Sequence, residues 1–189
     1  ATDMLILFII SLIANLLSAL AGGGAGLLQL PALLLLGWPF LTALATHKIA
    51  SIALGVGASI RHWQSEKLDL RFSLLILASG LPGVWLGTQV ILDVPEHWAK
   101  LALGILTIAI GVYSLFKPNL GQKNERQGYD FRRLSIGCSI LFMIGVLNGS
   151  LTSGTGLFVT LWLIRWFGFD FTRAVAYTLI LVGLFWNGV

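Results

Sequence analysis

The chain has 189 residues, 57% of them hydrophobic and only 11% charged, with a mean hydropathy of +0.88. Twelve Lys and Arg and eight Asp and Glu cannot coat a soluble globule, which excludes an ordinary water-soluble domain and a disordered chain. The single cysteine, Cys138, excludes a disulfide scaffold and a cysteine-based metal cage.

A bilayer-spanning helix needs about 20 mostly apolar residues. Residues 4–21 qualify, and although they end in a signal-peptidase-like SALA, no basic segment precedes them, only Asp3, so they read as a retained helix. Gly22, Gly23, Gly24 and Gly26 then interrupt the chain, and a short apolar piece, 27–36, runs to the turn GWPF. Further spans are 41–60, 72–92, 98–116 and 134–150. A second glycine-flanked break, SGTG at 153–156, opens another short piece, 157–167, and the last apolar segment is 174–189. The runs are too long and too uniformly apolar for barrel strands, which alternate. The fold class is therefore all-α, a polytopic membrane helix bundle. Gly83 and Gly87 have the spacing that lets helix backbones meet. Trp38, Trp63, Trp98 and Trp166 stand at span ends as interfacial anchors, whereas Trp85, in mid-span, reads as packing.

Positive charge sets the orientation. The 61–71 loop carries Arg61, Lys67 and Arg71, and the 117–133 loop carries Lys117, Lys123, Arg126, Arg132 and Arg133, eight of the twelve basic residues. Both loops are expected in the cytoplasm, and the basic balance is topological, with no nucleic-acid partner implied.

Residues 24–45 align with 154–176 when Phe167 is treated as an insertion, matching at eight of 22 positions: Gly24, Gly26, Leu27, Leu33, Gly37, Phe40, Ala43 and Ala45. The turn at 37–42 is uncharged, whereas its counterpart at 165–173 carries Arg165 and Arg173. If basic turns face inward, the repeats are inverted, an arrangement common to secondary transporters. The expected organisation is a first transmembrane repeat over 1–117, a cytoplasmic loop over 118–133 and an incomplete second repeat over 134–189.

Each break is followed by a helix N-terminus, which concentrates partial positive charge and amide donors. Two such ends related by a pseudo-twofold make an anion site from Gly23, Gly24 and Gly26 on one side and Ser153, Gly154, Thr155 and Gly156 on the other. Lys48 lies within a span, where a lysine costs on the order of 2.5–3.5 kcal/mol on insertion scales and calls for a functional reason. His47 beside it is a candidate proton carrier. Gln29, Thr46, Ser51 and Thr178 complete the candidate substrate-binding set, and Asn148, Ser150 and Thr152 cluster near the second break. No metal site and no cofactor is expected.

With these residues in view, the chain resembles the TauE/SafE family of sulfite and organosulfonate exporters. The resemblance rests on LAGGGAGLLQLPALLLLGWPFLTALATHKIAS (20–51) and extends to GSLTSGTGLFVTLWLIRWFGFDFTRAVAYT (149–178). Gly22, Gly23, Gly24, Gly26, Pro31, Thr46 and Lys48 match the family pattern. His47 stands where that pattern commonly has Asn or Ser, and Leu179 stands at the position equivalent to Lys48. The resemblance implies a bacterial inner-membrane exporter of a small inorganic or organosulfur anion, with no enzymatic activity. Protons are a candidate coupling ion and a homo-oligomer a candidate state. Members carry a further pair of spans after the second unit, so a shortened member is expected. The alternatives are a membrane-embedded serine hydrolase using Ser153 or Ser150 with His47, and a non-transporting scaffold.

Overall fold

The computed structural model describes residues 2–21, 23–62, 68–116, 130–152 and 154–189. Among them every regular element is helical, as expected where lipid leaves backbone groups no water to bond. The elements are α1 (Thr2–Ala21), α2 (Gly26–Leu35), α3 (Phe40–His62), α4 (Leu70–Asp93), α5 (Glu96–Phe116), α6 (Phe131–Ser150), α7 (Thr155–Arg165) and α8 (Phe171–Tyr177). The helix α8 runs on into a π-wound segment, Thr178–Trp186. Among the described residues four helices, α1, α3, α4 and α6, are long and apolar enough to cross a bilayer. The chain is thus an all-α, polytopic membrane protein.

Both breaks fold the chain back on itself. In the first unit, Gln29 of α2 donates to Ser11 Oγ of α1 at 2.9 Å. Eighteen residues of continuous helix would hold that pair about 27 Å apart, so α2 returns along α1. In the second unit Arg133 of α6 donates to the Trp166 carbonyl, and Trp162 of α7 donates to Gly137 further along α6. The register decreases along one helix as it increases along the other, so α7 also returns along α6. The turn that ends each short helix has the same construction. Gly37 and Gly168 take φ of 84° and 72°, and Trp38 N–H and Phe169 N–H reach back to Leu33 and Leu163. Glycine tolerates that left-handed conformation without penalty.

The relative direction of the two units follows from backbone contacts. A Cβ on Gly83 would stand 3.1 Å from Val146 N, and one on Gly87 would stand 3.0 Å from Ser150 N. That register advances together, so α4 and α6 run parallel with their backbones touching, as the spacing of Gly83 and Gly87 predicts. Their N-terminal ends, with Arg71, Arg132 and Arg133, therefore lie at one end of the bundle. Of the other basic loop residues, Lys67, Lys117, Lys123 and Arg126 lie outside the described residues, as does Trp63. The helix α3 instead crosses the π-wound segment antiparallel: Ser51 and Gly55 meet Gly183, while Ala58 packs with Val175 and Leu179. The third helices of the two units therefore run in opposite directions, which is the inverted arrangement.

Aspartates open three helices at the same end: Asp69, Asp130 and Asp170 accept from the backbone N–H of Arg71, Arg133 and Arg173. Each satisfies an amide that a helix start leaves unpaired. Beside them Phe72, Phe167, Phe169 and Tyr177 form one aromatic cluster.

Several sequence expectations are corrected. Trp85 is 59% exposed and faces outward, because the α4 seam is built from glycines and leaves no room for an indole. The segment 174–189 is helical only through Trp186, and its Thr178–Trp186 portion is π-wound. His62 and His97, just outside the expected spans 41–60 and 98–116, lie at the end of α3 and in the first turn of α5.

Candidate functional site

The two breaks touch. Gly23 has φ 118°, and a Cβ there would lie 2.7 Å from the Gly156 carbonyl carbon, so only glycine lets the first break seat against the second. Thr152 is held at φ 59° and Gly154 at φ 70°. A threonine in the left-handed region is strained, and such strain is found where a site demands a particular backbone path.

Between the breaks lies a cavity of about 40 Å³, room for roughly three water-sized groups. Its wall takes Gly23, Gly24 and Gly26 from the first break and Thr152, Gly154, Thr155 and Gly156 from the second. His47 and Ser51 line it from α3, Asn148 from α6, and Thr178 and Asn187 from the last segment. His47 and Ser51 are the eighth and twelfth residues of the 23 in α3, so the cavity sits at mid-height rather than at an end. The π winding contributes directly. Asn187 N–H bonds the Val182 carbonyl five residues back, and this wider turn brings Thr178, Val182, Gly183 and Asn187 to one face. α2 and α7 both begin at this wall, so two helix N-termini converge on it.

The lining side chains form two hydrogen-bonded chains. On the first unit, Ser11, Gln29, His47 and Ser51 are linked in series, with His47 Nδ1 2.7 Å from Gln29 Oε1 and His47 Nε2 3.4 Å from Ser51 Oγ. On the second, Asn148 Nδ2 donates to Thr155 Oγ1 at 2.9 Å and to Asn187 Oδ1 at 3.1 Å. Thr155 in turn donates to the Thr152 carbonyl, and Thr152 to the Asn148 carbonyl. Thr160 donates to Thr178 at 2.7 Å, across the same 18 residues that separate Gln29 from His47. The repeat thus preserves a polar pair between short helix and third helix while changing its chemistry.

Comparison with known proteins points to a family of membrane transporters. The family model described as "Sulfite exporter TauE/SafE" matches residues 7–189. The chain belongs to the TauE/SafE sulfite exporter family. It is 32% identical over 176 residues to a "Probable membrane transporter protein" of Haemophilus influenzae, covering 93% of this chain and 68% of that protein. It is 29% identical to the "Probable membrane transporter protein YfcA" of Escherichia coli K12, covering 93% of this chain and 64% of that one. A "Probable membrane transporter protein ORF9" of Sinorhizobium is also 29% identical, with 65% of its length covered. The chain therefore spans about two thirds of the length of the curated relatives it matches. No solved structure matches it.

The candidate substrate-binding residues do not all meet at the cavity. Gly23, Gly24, Gly26, His47, Ser51, Gly154, Thr155, Gly156 and Thr178 line it. Gln29 stands one bond behind, holding His47. Thr46 returns its hydroxyl to the Thr42 carbonyl and does not line it. Lys48 does not line it either. The reason is helical: one residue on from His47 turns the side chain about 100° around α3. Lys48 is half-buried there, with no hydrogen-bond partner among the described residues. Gly22 and Ser153 lie outside the described residues.

Ser150, the other serine of the hydrolase alternative, donates to the Val146 carbonyl and is not partnered with His47. Sequence reasoning passed over Ser18 and Asn187, both of which line the cavity. A side-chain amide inside an apolar run is a usable signal, and Asn187 carried it.

Proposed function

We propose that this chain is the substrate-bearing part of a secondary transporter that exports a small sulfur-containing oxyanion, sulfite or an organosulfonate, without chemical change. The cavity between the two breaks is the binding site, near the middle of the inner membrane of a bacterium. The observation that carries this reading is the contact of Gly23 with Gly156, which brings two helix N-termini to one polar cavity at mid-height. Amide donors and helix dipoles there favour an anion, and irregular backbone at that depth is tolerated where it lines such a cavity. The family's description and the transporter names of the relatives support the class. Alternating access then follows from rocking of one inverted unit, within 1–117, against the other, within 134–189. The 61–71 and 117–133 loops are cytoplasmic on this reading, and His47, the titratable residue of the lining, is the candidate carrier of a coupled proton.

The decisive experiment is uptake of radiolabelled sulfite into proteoliposomes carrying the full-length protein, with sulfate, thiosulfate and sulfoacetate as competitors and with or without a pH gradient. Saturable, competable flux is expected, and its response to the gradient reads proton coupling. No flux above empty liposomes, with the protein correctly inserted, removes sulfite as the substrate. In the same assay Lys48→Ala tests a candidate residue that does not line the cavity. Loss of flux or of affinity keeps it in the pathway, whereas unchanged flux and affinity take it out.

A further inference from the structure

The hydrogen-bond accounting around Asn148 specifies the charge state of the ligand. Thr155 has one hydroxyl proton, and it goes to the Thr152 carbonyl at 2.8 Å. Its oxygen must therefore accept from Asn148, which places the amide nitrogen of Asn148, not its oxygen, toward Thr155 at 2.9 Å. The second N–H of that nitrogen goes to Asn187 Oδ1 at 3.1 Å. Both donors of Asn148 are thus used, while Oδ1 is buried and receives no hydrogen bond from the described residues. The residue is 1% exposed and lines the cavity. A buried acceptor of this kind needs a donor, and in a ligand site the ligand can bring it.

The charge of the wall points the same way. No Asp, Glu, Lys or Arg is among the residues lining the cavity. His47 of α3 is the one titratable side chain of the lining; α1, α2, α6, α7 and the last segment contribute none, and Lys48 on α3 does not line it. Positive character comes mainly from two helix N-termini, each worth roughly half an elementary charge. Together they match one negative charge, not two.

We infer that the site selects the monoprotonated form of an oxyanion, hydrogensulfite with its proton on oxygen, and that Asn148 is the specificity-determining residue that accepts the ligand's O–H. The charged oxygens face the amide ends of α2 and α7, and the hydroxyl faces Asn148 Oδ1. Dianions such as sulfate and sulfite itself bring a second charge and no proton. Sulfonates bring one charge and, at their head group, no proton. The inference rests on the transporter reading above and narrows its substrate.

The test uses the full-length protein in proteoliposomes, with sulfite uptake followed across the pH range in which sulfite takes up its proton. KM expressed per hydrogensulfite is expected to stay constant within about twofold as pH rises, while KM per total sulfite climbs. At a fixed pH where hydrogensulfite dominates, methanesulfonate, equally monoanionic but without an O–H, is expected to compete about tenfold or more weakly than unlabelled sulfite. This fixed-pH comparison does not depend on the titration of His47. Asn148→Leu is expected to erase that discrimination by weakening hydrogensulfite and leaving methanesulfonate nearly unchanged, a split that a merely structural defect would not produce. If the variant fails to insert, the wild-type competition decides alone. Equal competition by methanesulfonate, or a KM constant per sulfite dianion, overturns the inference and leaves the transporter reading standing. Absence of saturable sulfite flux at every pH overturns the inference and removes sulfite from that reading as well.

Discussion

The two broken-helix units share a backbone plan and differ in what they place on it. Each has a long helix, a glycine break, a short returning helix, a left-handed glycine turn and a third helix that carries a polar residue to the cavity. In the first unit that residue is His47, tied through Gln29 to Ser11. In the second it is Thr178, tied to the Thr160 hydroxyl, and the polar weight moves to the Asn148, Thr155 and Asn187 network. An inverted repeat therefore supplies symmetry where geometry matters, in the paired N-termini. It leaves the side chains free to diverge into one unit that carries a titratable residue and one that carries a hydrogen-bond network.

The largest effect is expected where the units meet. Gly23→Ala forces a side chain at φ 118° into the Gly156 backbone, combining left-handed strain with overlap at roughly 2–4 kcal/mol. Gly156→Ala meets its nearest backbone atom at 3.2 Å and should cost less. Thermal unfolding in detergent ranks the two, and an equal cost would break the picture of a one-sided, glycine-specific seat.

A middle-sized effect separates the two polar pairs. His47→Ala removes the partner of a buried glutamine, worth about 1–3 kcal/mol, and should take anion flux with it. Thr178→Val keeps shape and loses one neutral hydroxyl bond, worth about 0.5–1.5 kcal/mol, and flux should fall only modestly. Equivalent losses in both variants would mean that the units have not diverged in role.

The smallest effect lies away from the cavity, where α5 is pinned to the start of α3. The Glu96 carboxylate bonds Lys100 at 2.9 Å and accepts from Phe40 N–H at 3.1 Å. The Lys100 side chain first, and the Phe40 amide second, hold its pKa below the ordinary carboxylate value. Its contribution is therefore present at neutral pH and is lost as pH falls through the lowered folded value. Glu96→Gln should flatten a small acid-side decrease in melting temperature, and an unchanged decrease would show that this exposed link carries no stability.

Much of this was legible in the chain itself. Apolar runs of spanning length fixed the class and the helices, because lipid admits few alternatives. The glycine runs marked both breaks, since only glycine permits those backbone angles and that approach. Charge asymmetry between the turns at 37–42 and 165–173 pointed to inversion, and the antiparallel crossing of α3 with the last segment agrees. The matched positions of the repeat, read with the 20–51 motif, led to the family.

What the chain could not reveal is which polar residues face inward. Thr46, His47 and Lys48 are adjacent in sequence but about 100° apart around α3, and only packing against the last segment decides that His47 is the one at the cavity. The π winding of Thr178–Trp186 leaves no mark in a uniformly apolar run, yet it sets where Asn187 points. Asn148 is one of several polar residues near a break in the sequence, and only the fold shows that Thr155 and Asn187 take its two donors and leave its oxygen without a donor among the described residues. Local composition determines that a segment is a helix and where it breaks. The rotation of each helix about its axis is decided by its neighbours, and that rotation makes the site.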